Sequence, residues 1–256
     1  MWIGAKCLSH FEYLHKALSR SGVTSLEQHY PDWFSTLDGD TRHGDEVITV
    51  PLPDLLTSGG ITLSDWVSTI KKQTEAPSER IAAFMMNRLL CKESFSPLSA
   101  QFTLLHLEPA EGVNGVDLTL SPEGVTATSL KGLTTTPHSE LWHEVGHLLQ
   151  QWCHEFQRSF GISKPVFWSN AALAIASPWA RFAAYTDEPV FFAREAQQFL
   201  NSIHPTLAYG VLWHQPVSPN QCQIKRQACC LKYILQEGDM CGTCSRHAIK
   251  HPIDIE

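Results

Sequence analysis

The sequence predicts an α+β protein, mostly helical, with a small antiparallel sheet and a short cysteine-rich segment at its C-terminal end. Three observations predict it. Apolar residues recur at helical spacing before residue 90 and after residue 140, strand-like alternation is confined to residues 101–130, and four of the eight cysteines crowd between positions 229 and 244. At 256 residues, 43% hydrophobic and 18% charged, the chain can bury one large core, and its composition is that of a folded protein.

Taken in order, residues Lys6 to Leu26 read loosely as a first helix and Pro31 to Gly44 as loop. Thr62, Ser64 and Asp65 look like a helix start, and Trp66, Ile70, Ile81, Phe84, Met85 and Leu89 continue an apolar stripe that Pro77 divides into two helices. Gln101 to Leu107 and Val116 to Leu120 alternate as strands do, and the turn Ser121-Pro122-Glu123-Gly124 precedes a third run, Val125 to Leu130. Thr136 then offers an N-cap, Pro137 suits the first helical position, and Glu140 sits in the first turn. Leu141, Val145, Leu148, Leu149, Trp152 and Phe156 fall on one face of that helix. Helices are expected around Ser169 to Ala184 and Val190 to Ile203, and Val211 to Trp213 with Gln223 to Arg226 as a last hairpin. The expected organisation is a scaffold and substrate-facing domain over 1–222 and a cluster-binding segment over 223–256.

The formal charge of −7 gives no overall invitation to nucleic acid or to an anionic membrane. The most apolar stretch, Val166 to Tyr185, is interrupted by Ser169, Asn170, Pro178 and Arg181, so no transmembrane segment is expected. The N-terminal residues show no basic region followed by an apolar one, which points to a reducing cytoplasm. There, eight cysteines suggest core thiols and, where clustered, a metal site rather than a disulfide framework. Cys7, Cys91 and Cys153 are isolated, and Cys222 is taken as a bystander.

Cys229, Cys230, Cys241 and Cys244 are spaced C-C, ten residues, then C-x-x-C. A C-x-x-C knuckle turns two sulfurs toward one metal, with Gly242 expected to permit the tight turn. Adjacent cysteines diverge, so chelating a single tetrahedral ion with both is awkward, whereas two irons offer a wider reach. The spacing therefore favours a [2Fe-2S] cluster; structural zinc and a vicinal disulfide or idle thiols remain alternatives.

This arrangement resembles the C-terminal signature of the FhuF-type ferric siderophore reductases. Phe167-Trp168-Ser169-Asn170, Phe191-Phe192, Thr136-Pro137-His138-Ser139 and Leu63-Ser64-Asp65-Trp66 are similar to further stretches of that family. The resemblance implies a [2Fe-2S] cluster on the four cysteines and one-electron reduction of a ferric siderophore, most naturally of the hydroxamate type. It implies no catalytic residue beyond the ligands. No Gly-rich dinucleotide fingerprint or P-loop is present, so an external electron donor such as a ferredoxin or flavin reductase is expected. The expected location is the cytoplasm, or the inner face of the membrane where ferric complexes enter. Lys225, Arg226, Lys232, Arg246 and Lys250 face only Glu237 and Asp239 in this segment. Arg226 and Lys232, with Trp168, are the candidate substrate contacts.

One rival motif is present. His143-Glu144-Val145-Gly146-His147 matches H-E-x-x-H, in which two histidines bind zinc and the glutamate activates water for peptide hydrolysis. Against it, the apolar stripe places both histidines on the polar side of their helix, and Gln150 and Cys153 stand where the longer metzincin pattern asks for glycine and a third histidine.

Overall fold

A computed structural model describes residues 48–56, 63–105, 107–121, 124–134, 140–183, 188–214, 222–236, 238–247 and 252–253. The expected N-terminal helix and loop, Thr62, Thr136 to Ser139, and Lys250 lie outside the described residues. The architecture is α+β, as expected. Strand β1 (Ile48–Pro51) pairs antiparallel with β3 (Val116–Ser121), which pairs with β4 (Gly124–Leu130). Two-stranded ladders join β2 (Glu108–Pro109) to β5 (Leu133–Thr134), and β6 (Val211–His214) to β7 (Gln223–Arg226). The helices are α1 (Leu63–Gln73), α2 (Glu79–Leu105), α3 (Leu141–Phe160), α4 (Lys164–Ala183), α5 (Pro189–Ile203) and the short α6 (Pro205–Ala208).

Three boundaries differ from expectation. Gln101 to Leu105 do not form a strand; they are the last turn and a half of α2. The alternation misled because α2 is buried nearly all round through Ser94 to Thr103, and a helix without a polar face carries no 3.6-residue pattern. The Phe167-to-Asn170 stretch lies inside α4 rather than ahead of it. Helix α3 begins only at Leu141, with Glu140 at its N-cap and Gly161 in the left-handed conformation closing its other end. Its six expected stripe residues are all buried.

The core centres on α2 against α4. Pro178 has no N–H to give the carbonyl of Ala174 one turn earlier, and two serines replace it: Ser96 Oγ of α2 donates to Ala174 O at 2.9 Å and Ser177 Oγ at 3.2 Å. Ser99 Oγ donates to Ile175 O at 2.7 Å. A buried amide pair, Asn170 Nδ2 to Asn87 Oδ1 at 2.7 Å, fixes the register of the two helices. Among the described residues no helix is long and apolar enough to cross a membrane.

Candidate metal centre

Strand β7 delivers the chain into the cysteine segment. It pairs with β6 from Val211↔Arg226 to His214↔Gln223, and its last residue hydrogen-bonds forward, Arg226 N to Thr243 O at 3.0 Å. That bond lays the Cys241-to-Cys244 turn beside the strand end, where Cys244 N to Cys241 O at 2.9 Å closes it. Lys225, buried, donates from Nζ to His247 O at 3.2 Å, and the His247 ring lies 3.1 Å from Cys241 O. Earlier in the segment, Ala228 N donates to Ser169 Oγ of α4 at 3.0 Å, which ties the residue before the cysteine pair to the scaffold.

The four predicted ligands come together. All are free thiols, and the adjacent pair splits: Cys230 is hydrogen-bonded to Cys241, and Cys229 to Cys244. Each sulfur also accepts from a nearby donor. Leu231 N reaches Cys229 Sγ at 3.4 Å, Lys232 N bonds Cys230, and Arg246 N bonds Cys244. Cys241 Sγ receives Arg226 Nη1 at 3.1 Å and the Thr243 hydroxyl at 3.9 Å. Leu231 stands in the left-handed region at φ 61°, ψ 13°, an unusual conformation for a branched residue. With that conformation the consecutive N–H groups of residues 231 and 232 serve the two sulfurs just before them, an arrangement known from anion-binding nests. Gly242, by contrast, is neither left-handed nor crowded, so the knuckle does not need its glycine.

Electrostatics separates these thiols from the others. The hydrogen bond shared with Cys230 holds the Cys241 thiol far below its ordinary range, with the Arg226 charge and Thr243 acting the same way against burial. The same bond and burial push Cys230 up, and burial pushes Cys244 up. Elsewhere burial alone dominates: it raises Cys91 and Cys153 and takes Cys222 up to about 12, as befits inert core thiols.

Arg226 is only 3% exposed, so it faces the ligands rather than an arriving substrate. Its Nη1 serves Cys241 and Thr243 Oγ1, while its buried Nε has no partner among the described residues. Arg88 of α2 also acts on Cys241 through its charge and has a second unpartnered buried Nε. Two guanidinium groups with spare donors beside a thiol quartet suit an anionic metal–thiolate group. Lys232 is half-buried and opens a short 3₁₀ turn. Trp168 lies in α4 and stacks on His204, ring centroids 4.5 Å apart and planes within 11°. Arg88, Thr243 and the strained Leu231 belong to no spacing recognisable in the sequence, and Ser169 stood out there only within the Phe167-to-Asn170 stretch.

The rival motif lies on the exposed face of α3. The Nε2 atoms of His143 and His147 share a hydrogen bond at 3.0 Å. Glu144 is already engaged, its Oε2 accepting from Val113 N at 3.1 Å. Among the described residues no group of three or more His, Cys, Asp or Glu side chains is placed to hold a metal ion, and this applies to the four cysteines as it does to the two histidines. Comparisons with protein-family models, with curated proteins and with solved structures found no match to this chain.

Proposed function

We propose that this chain is a [2Fe-2S] ferric siderophore reductase whose cluster ligands are Cys229, Cys230, Cys241 and Cys244. One observation carries the reading: four converging thiols, paired across the two cysteine motifs, with a hydrogen bond reaching every sulfur. The split of the adjacent cysteines onto different partners matches two irons with two thiolates each better than one tetrahedral ion. A cluster held there supplies a one-electron couple.

The chain's own residues set the conditions for that couple. Hydrogen bonds from Leu231, Lys232, Arg226 and Arg246 neutralise sulfur charge, and the buried Arg226 guanidinium favours the more negative, reduced state. The substrate chemistry is consistent with this. Hydroxamate oxygens hold hard ferric iron tightly and ferrous iron weakly, so one electron is enough to loosen the metal. The electron comes from an external donor such as a ferredoxin or a flavin reductase.

Protein isolated without air is expected to be reddish-brown and to show an EPR signal after reduction. Charged with dithionite, it is expected to release ferrous iron from ferric hydroxamates, read with a ferrous-specific chromophore against catecholate and carboxylate chelates. Failure to reduce any chelate sinks the proposal. Colourless protein containing zinc and losing peptidase activity on Glu144→Gln would instead favour the His143/His147 reading, which the 3.0 Å approach of the two imidazoles keeps open.

Arg226→Gln offers a graded test. It removes a cation and a charged donor to Cys241 while keeping all four ligands. If the lost bond favours the reduced state by about 1 kcal/mol, the potential falls by roughly 40 mV for a one-electron couple. An EPR-monitored titration measures it, and an unchanged or raised potential contradicts the tuning role.

A further inference from the structure

A cleft of about 500 Å³ opens beside the cysteine segment, within the size range of small-molecule sites. Its walls come from α3, α4, the turn through α6 and the chain just before Cys229. Among the described residues that line it none is a carboxylate, although the chain as a whole carries a formal charge of −7. Lys164 supplies a cation at the mouth, Gln150, Gln157 and Gln227 supply amides, and Tyr209 stands 79% exposed at the rim. One wall is an aromatic pair, Trp168 stacked on His204. The His204 ring is fixed by Thr206 N, which donates to Nδ1 at 3.2 Å, and by the Gln150 amide 2.7 Å from Nε2. Burial, then the nearby His147, hold His204 below its ordinary value, toward the neutral form.

The cleft and the cysteines share a wall. Gln227 lines the cleft and its N–H donates to Gly210 O, another lining residue, at 2.9 Å. Ser169 lines it too and holds Ala228 N at 3.0 Å. Cys229 follows two residues after Gln227, a chain distance of at most about 7 Å. A ligand in the cleft therefore sits against the backbone that carries the quartet.

From this we infer that the cleft is the seat of the ferric chelate, and that it selects neutral or anionic oxygen-rich complexes over cationic ones. Among the described lining residues, amides, hydroxyls and the Lys164 ammonium offer donors to hydroxamate oxygens, the Trp168–His204 face packs the organic envelope, and no acid repels the ligand's oxygens. The inference rests on the reductase reading and names where that reaction's substrate binds.

The test uses full-length protein isolated without air and redox-inert gallium(III) tris(acetohydroxamate), with hexaamminecobalt(III) as the cationic comparison, both followed by calorimetry. Lys164→Ala and Tyr209→Ala alter exposed side chains, so folding is spared. Each is expected to weaken gallium-complex binding 3- to 10-fold and to raise KM for the ferric complex in proportion, with the EPR signal of the reduced protein unchanged. The cobalt complex is expected not to bind. Wild-type affinity in both variants, with ferric reduction intact, overturns the cleft assignment and leaves the reductase reading standing. Equal binding of the cobalt complex overturns the charge selection. Absence of both binding and reduction in the unaltered protein removes the reductase reading and the cleft with it.

Discussion

Cys241→Ser is expected to strip the protein of its visible absorption and of its EPR signal after reduction, while Cys222→Ser leaves both in place. The contrast follows from position rather than from residue type. Cys241 sits at the junction of the two halves of the quartet, bonded to Cys230 and receiving Arg226 and Thr243. Its thiol is held far below its ordinary range, and thiolate is the form that binds metal. Cys222 is 5% exposed, and burial takes its thiol up to about 12, so it contributes packing alone. Losing a supporting contact costs about 10- to 100-fold in metal affinity, and losing a ligand should exceed that. Iron and sulfide analysis beside the spectrum checks the result. Iron content unchanged in Cys241→Ser means that the ligand set is wrong.

Gly146→Ala is expected to destabilise the fold by about 1–3 kcal/mol, lowering the melting temperature by roughly 3–10 °C. Two effects oppose each other here. Alanine is the better helix former by about 1 kcal/mol, so on an exposed face the change would stabilise α3. Gly146 is buried, however, and a Cβ added there would lie 2.5 Å from the carbonyl oxygen of Ile203 and 3.4 Å from its carbon. Both atoms are backbone at the end of α5 and have no rotamer to yield, so the helices must part and the clash decides the sign. Gly242→Ala is the matched control, since nothing lies within 4 Å of its added methyl, and its effect should stay within about 0.5 kcal/mol. Thermal denaturation by circular dichroism reads both. The outcome also bears on H-E-x-x-H, because position 146 is an unspecified spacer in that motif, whereas here it is the contact that brings α3 against α5. A stabilised Gly146→Ala shows that α3 and α5 do not approach this closely.

The sequence by itself determined what short-range chemistry can encode. The amphipathic face of α3, the break at Pro77, the β3–β4 pair and the final β6–β7 pair are all local, and periodicity or turn residues expose them. The cysteine grouping was legible for the same reason, because thiol spacing along one short segment is itself a local pattern. Tertiary structure decided the rest. Residues 94–103 of α2 and 166–176 of α4 are buried on every side, so pattern is silent there, and helix was secured by Ser96 and Ser99 reaching carbonyls of a helix more than seventy residues away. Arg226 was a candidate substrate contact in sequence because it stands beside the cysteine pair in a basic segment; in the fold it is buried, with Arg88 from a distant helix also acting on Cys241. The cleft draws on residues from Gln150 to Gln227, and only packing places them on one cavity. Cysteine spacing travels along the chain, whereas the charge, hydrogen bonds and access that would make four cysteines a reductase are assembled across it.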